Sequence, residues 1–223
     1  MALILSIETA TTNCSVALSR NGKTITLKED FRNGYSHAEK LHVFIDEVLN
    51  ESKVTRKNLD AIAISKGPGS YTGLRIGVSA AKGLAFALDK PLISVPTLNV
   101  LAKQVNCDDG VIVSMLDARR LEVYSAVYDS GYNQIRNTQA EILDPDSFQN
   151  YLKENTVYFI GNGVAKTKEI VNHSNAVFIE EKLPSANEMS TLAYHKYKIG
   201  DIEDVAYFEP YYLKDFVALK PKP

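Results

Sequence analysis

The chain has 223 residues, 45% apolar and 23% charged, which is enough to fill one or two packed cores and excludes a disordered or fibrous protein. A net charge of -2 argues against a dedicated nucleic-acid binder held by phosphate neutralisation, and two cysteines, Cys14 and Cys107, exclude a disulfide framework. No run approaches the roughly 18 apolar residues of a membrane span, so a cytoplasmic location is expected.

The opening run MALILSIETATTNCSVAL has no preceding basic segment and reaches Glu8 at once, so it reads as a buried strand and not as a signal peptide. Strands are predicted at Leu3–Glu8, Cys14–Arg20 and Thr24–Lys28, the last two joined by Asn21-Gly22, whose residues tolerate the positive φ of a tight hairpin. A helix follows with Leu41, Phe44, Ile45, Val48 and Leu49 on one stripe, Ser36 as its N-cap and Glu39 three positions on. Next come a strand at Ala61–Ser65, a Gly-Pro-Gly turn, a long helix from about Ser70 to Leu88, and a strand at Leu92–Val95.

The same order then starts again. Strands are predicted near Val111–Leu116 and Leu121–Tyr128, with a weaker third, then strands at Val157–Ile160 and Val177–Glu180 and helices at Asp146–Lys153 and Ser185–Lys198. This repetition predicts a duplicated α/β fold of two βββαβαβα-type halves, divided near Val105–Gly110 into subdomains 1–105 and 106–223, the second carrying an extended tail. The tail, YFEPYYLKDFVALKPKP, is read as packing by its tyrosines and ending in disorder. Charge is uneven: residues 1–105 hold 13 Lys/Arg against 9 Asp/Glu and the remainder 12 against 18, an asymmetry that fits partner docking or ordinary surface variation.

The most informative stretch is KGPGSYTGLRIGVSAAKGLA, residues 66–85. It is a strand-to-helix junction with glycines at the sharp turn and Ser70 or Thr72 placed to cap the helix, a start able to cradle an anion. It is not a Walker loop, because Leu74-Arg75 follows Gly73 where Lys-Ser/Thr would be required. Gly73, Gly77, Ala81 and Ala85 form a ridge of small side chains flanked by Leu74, Val78, Leu84 and Leu88, leaving only a narrow polar arc. A helix apolar over so wide an arc buries two sides, either within its own domain or partly against another protein.

This stretch resembles the signature of the TsaB (YeaZ) family, a glycoprotease-like paralogue of TsaD. The resemblance extends to ILSIETATTNCSVAL, SHAEKLHVFIDEVL, MLDARRLEVYSAVY and FEPYYLKD, and so spans nearly the whole chain. It implies an actin-like (ASKHA, ribonuclease H-like) fold, as in hexokinase and Hsp70, and a homodimer when the chain is alone. It further implies a complex with the catalytic paralogue TsaD and the ATPase TsaE. The implied role is that of a non-catalytic scaffold in forming N6-threonylcarbamoyladenosine at position 37 of tRNAs reading ANN codons. The chain would have no cofactor of its own, ATP and metal lying on its partners, and tRNA would be contacted at most within the complex. The interface is expected on the first helix (Leu41, Phe44, Ile45, Val48) and on the small-residue helix (Gly73, Leu74, Gly77, Val78, Ala81, Ala85).

The alternative is an actin-like phosphotransferase or ATPase with a degenerate site. The catalytic paralogue holds its metal through two histidines four apart on the first helix, whereas His37 and His42 here are five apart and project about 140° from each other. Both are expected at the surface or an interface. The phosphate hairpins of the fold carry glycines, but here the first reads Glu8-Thr9-Ala10-Thr11-Thr12-Asn13 and the second Asp117-Ala118-Arg119-Arg120. Gly161-Asn162-Gly163 is either a remnant of an adenosine-binding turn or a plain strand-to-helix turn. Glu8, Thr9, Thr11, Asp117, Arg119, Gly161 and Gly163 are therefore the candidates for a residual nucleotide site, and no catalytic or metal residue is assigned.

Overall fold

The computed structural model describes residues 1–31 and 36–214. Two five-stranded mixed sheets form the molecule. The first is built from β1 (Leu3–Glu8), β2 (Cys14–Arg20), β3 (Lys23–Asp30), β4 (Ala61–Ser65) and β5 (Leu92–Val95), in the order β3-β2-β1-β4-β5. The second uses β6 (Val111–Asp117), β7 (Glu122–Asp129), β8 (Gln134–Ile142), β9 (Val157–Ile160) and β10 (Ala176–Ile179), in the matching order β8-β7-β6-β9-β10. In each, the first three strands are an antiparallel meander and the last two run parallel to the first. This repeated topology is the duplicated actin-like fold.

Asn21 and Gly22 both take positive φ at the β2–β3 hairpin, as their side chains permit. The central strand β1 is buried along its whole length, because helices cover both faces of the sheet. On one face α1 (His37–Glu51) and α2 (Tyr71–Leu88) pack Leu41, Ile45, Val48, Val78, Ala81 and Ala85 on Leu5, Ile7, Ile62 and Ile64. On the other, α6 (Ala186–Ile199) packs Ala186, Met189 and Ala193 on Ile4, Ala17, Ala63 and Ile93.

A short helix, α3 (Thr97–Ala102), to which the sequence reading assigns no residues, closes the expected βββαβαβα order of the first half; its Leu98, Leu101 and Ala102 fill the second sheet's inner face with Ile112, Leu116, Ala126 and Tyr128. And α6, assigned by the expected division to the second half, packs on the first sheet, so the chain returns across the middle of the molecule. The outer face of the second sheet is covered by α4 (Gln149–Leu152) and α5 (Val164–Ile170) through Leu152 and Val164. Ser36 begins α1, but its hydroxyl turns to Asp30 and makes no cap bond, so the anticipated capping box is not formed. Ser70 does cap α2, accepting from the Gly73 amide at 3.3 Å. The end of the tail, residues 215–223, whose disorder was expected, lies outside the described residues.

Candidate functional site

The loop after β1 is the one the resemblance equates with a phosphate hairpin, and several of its polar groups are engaged within the chain. The Glu8 carboxylate accepts from the Ala10 amide at 2.6 Å, and Ser70 N–H donates to the Ala10 carbonyl at 2.7 Å. Thr9 Oγ1 donates to the Gly73 carbonyl (2.9 Å), Asn13 N–H to Thr11 Oγ1 (3.3 Å), and Asn13 Nδ2 to the Pro184 carbonyl (3.0 Å). The GPG turn closes down on this loop: a Cβ at Gly69 would lie 2.4 Å from the Ala10 oxygen. Glu8 is fully buried, and desolvation pushes its pKa from 4.5 to about 7.

His37 is a correction. It is 2% exposed, its Nε2 lies 2.7 Å from the Thr11 carbonyl, and burial holds its pKa below the ordinary histidine value. It sits at the helix start, where the chain turns inward to meet the β1 loop, so helical periodicity alone misplaces it. His42 is exposed on α1, as expected. Among the described residues no group of three or more His, Cys, Asp or Glu is gathered as a metal site.

In the second half, the β6–β7 turn is held from within. Lys166 Nζ on α5 donates to Asp117 Oδ1 (2.5 Å) and to the carbonyls of Arg120 (2.6 Å) and Glu122 (3.1 Å). Asn162 Oδ1 accepts from the Asp117 amide at 2.9 Å. Arg119 and Arg120 take φ of 73° and 53°, the left-handed region in which a glycine pair would rest without strain. Gly161 and Gly163 do not face outward: Cβ atoms there would meet the Met115 carbonyl at 2.0 Å and Val123 Cγ1 at 3.1 Å, so both glycines permit close packing on β6 and β7.

Between these two hairpins opens a cleft of about 640 Å³, lined by the β1 loop, the GPG turn, the β6–β7 turn and the tail. Thr11, Asp117 and Arg119 line it, while Glu8 and Thr9 lie buried beneath α2. Arg120 and Asn162, inside the two turns the sequence singles out, line it too, whereas Tyr71, Tyr124, Tyr212 and Lys214 were not anticipated there; the aromatic FEPYYLKD segment was the available signal. The tail runs along α2, where Lys82 Nζ donates to the Ala206 and Phe208 carbonyls at 3.2 and 2.8 Å. Tyr211 N–H then bonds the Lys66 carbonyl (2.7 Å), the Tyr212 ring lies tilted at 38° against Tyr71 with ring centres 5.0 Å apart, and Lys214 reaches Glu122 in the other half.

Residues 34–222 match the family model described as TsaD, tRNA N6-adenosine threonylcarbamoyltransferase. The tRNA threonylcarbamoyladenosine biosynthesis protein TsaB of Escherichia coli K12 is 31% identical over 99% of this chain and 98% of its own length. That of Bacillus subtilis is 32% identical over 86% and 81%. The solved structure of YeaZ from Pseudomonas aeruginosa superposes with a TM-score of 0.81 at 28% identity, covering 96% of this chain and all of its own. The chain belongs to the TsaB (YeaZ) family.

The interface residues expected for a TsaB-family chain require revision. Leu41, Ile45, Val48, Leu74, Val78, Ala81 and Ala85 are all under 5% exposed, and Phe44 is buried, so they fill the chain's own core. The small ridge is a requirement of that core: a Cβ at Gly73 would meet the Thr9 carbonyl, and one at Gly77 would meet Thr9 Oγ1, each at 2.1 Å. The outward face of α2 instead carries Ser79, Gly83 and Ala87 at four-residue spacing, with Phe86 82% exposed beside them. On α1 the exposed large apolar residue is Val43, at 48%. No helix among the described residues is long and apolar enough to cross a membrane.

Proposed function

We propose that the chain acts in tRNA threonylcarbamoyladenosine biosynthesis as a non-catalytic partner that orders a TsaD-type threonylcarbamoyltransferase modifying adenosine 37 of tRNAs reading ANN codons. One observation carries the non-catalytic part: the loop after β1, where a nucleotide would lie in this fold, spends its groups on Glu8, Gly73, Ser70 and Pro184. The β6–β7 turn supports the same reading, since Lys166 neutralises Asp117 and leaves that carboxylate no separate task. ATP and metal chemistry belong to the partners, a TsaD-type catalytic chain and a TsaE-type ATPase, in the cytoplasm.

The partner surface is the outward face of α2 with the exposed part of α1. Gly83 supports it, because a Cβ there would meet nothing within 4 Å, so its own fold gives no reason for a residue that weakens a helix by about 1 kcal/mol relative to alanine. A small ridge lets a second helix approach to the short end of the roughly 8–10 Å packing range. The chain alone pairs with itself through this face, in competition with the catalytic paralogue.

Reconstitution of the modification on tRNA, with and without this chain, tests the reading. Multiple-turnover modification is expected only when both chains are present, and ATP turnover or peptide cleavage by this chain alone is expected to be absent. Full-rate modification by the paralogue alone would remove the partner role.

A further inference from the structure

The cleft between the two halves has binding groups that the chain's own contacts leave unspent. Of its acidic side chains, Asp117 is paired with Lys166 and Glu122 with Lys214. Arg119 and Arg120, consecutive and exposed at the tip of the β6–β7 turn, form no ion pair among the described residues. Two uncompensated guanidinium groups at one rim make a site for a phosphate, which Arg binds through a planar fork of donors. The same cleft has an aromatic wall, where Tyr212 rests on Tyr71 and keeps 39% of its surface exposed.

We propose that this cleft binds a nucleotide of a single-stranded RNA, its phosphate at Arg119 and Arg120 and its base against Tyr212. Arginines beside exposed aromatic rings are the combination that grips single strands, because every base offers a face to stack and every nucleotide a charge. A free nucleoside triphosphate fits less well. Its phosphates need a cradle of backbone amides, and in the β1 loop those of Ala10 and Asn13 are turned to internal partners, while the arginines stand at the rim. Two arginines neutralise at most two phosphates, so the site holds one or two nucleotides. The choice of RNA over other phosphate esters rests on the pathway reading above. Binding is measured on this chain alone and the partner role by reconstitution, so either can fail without the other.

The experiment is a fluorescence anisotropy titration of the full chain with a labelled single-stranded RNA heptamer at low salt, using ATP, inorganic phosphate and duplex RNA as competitors. Saturable binding is expected, displaced by unlabelled single strand well before ATP, phosphate or duplex. The double variant Arg119→Gly, Arg120→Gly keeps the turn, since glycine accepts both backbone conformations, and is expected to bind at least tenfold more weakly. Its log–log salt dependence should be shallower by about 0.7 for each phosphate that the arginines no longer neutralise. Tyr212→Ala should weaken binding about tenfold with the salt dependence unchanged. Arg120→Glu gives a second charge test should the double variant lose its fold. An absence of binding at low salt, unchanged affinity in the arginine variants, or displacement by ATP at lower concentrations than by RNA would each overturn the site.

Discussion

At the scale of single residues, Glu8 ties stability to pH. Burial raises its pKa from 4.5 to about 7, so the folded chain takes up a proton that the unfolded chain releases. The associated stability is fully present below about pH 4.5 and is lost as pH rises to about 7, an amount of about 3 kcal/mol at one pKa unit per 1.36 kcal/mol. Glu8→Gln keeps an oxygen for the Ala10 amide and cannot ionise. Its stability in urea should match the wild type near pH 4 and exceed it by about 1–3 kcal/mol near pH 8. An equal difference at both pH values would mean that Glu8 does not titrate in this range. The protonation behaviour was illegible in the sequence: Glu8 ends a strand whose alternation gives no sign that the carboxylate is enclosed by the Gly69 turn and α2.

Among the elements, α2 separates what periodicity reveals from what it cannot. The strands Ala61–Ser65 and Leu92–Val95 were readable to the residue, because short apolar runs bounded by Gly and Pro have one reading. The breadth of the apolar arc on α2 was also readable, but not which side meets the sheet, since small residues recur on two faces. Close approach of Thr9 to Gly73 and Gly77 decides it, and that is a long-range fact. Ala81→Glu, which an outward ridge would tolerate, should instead bury a charge against Val78 and Ala85 and cost several kcal/mol, seen as loss of the folded circular dichroism signal. Gly83→Leu and Phe86→Glu lie outside the core and should leave the thermal midpoint within a few degrees while abolishing association with the paralogue in light scattering. If both variants still associate, the partner face lies elsewhere. The bounds of α3 escaped the sequence reading for a different reason: its six residues are too few to show a helical period.

For the whole molecule, the question is whether the duplicated halves are independent. Duplication was legible in the repeated order of elements, but the path of α6 was not, because nothing local says which sheet a helix will cover. Met189 and Ala193 complete the core of the first sheet, while α3, between β5 and β6 in the chain, completes that of the second. Each half is therefore finished by a helix that the expected division assigns to the other, and the tail ties them again through Tyr211 on Lys66 and Lys214 on Glu122. Such exchange should make unfolding a single cooperative event. Met189→Ala removes a fully buried side chain and should cost about 2–5 kcal/mol. Amide exchange followed strand by strand gives the test. In a cooperative molecule the slowest amides of β1 and β6 should accelerate by the same factor in the variant, because both exchange through global unfolding. Acceleration confined to β1 would mean that the second sheet stands without the first and that α6 is an appendage of one half.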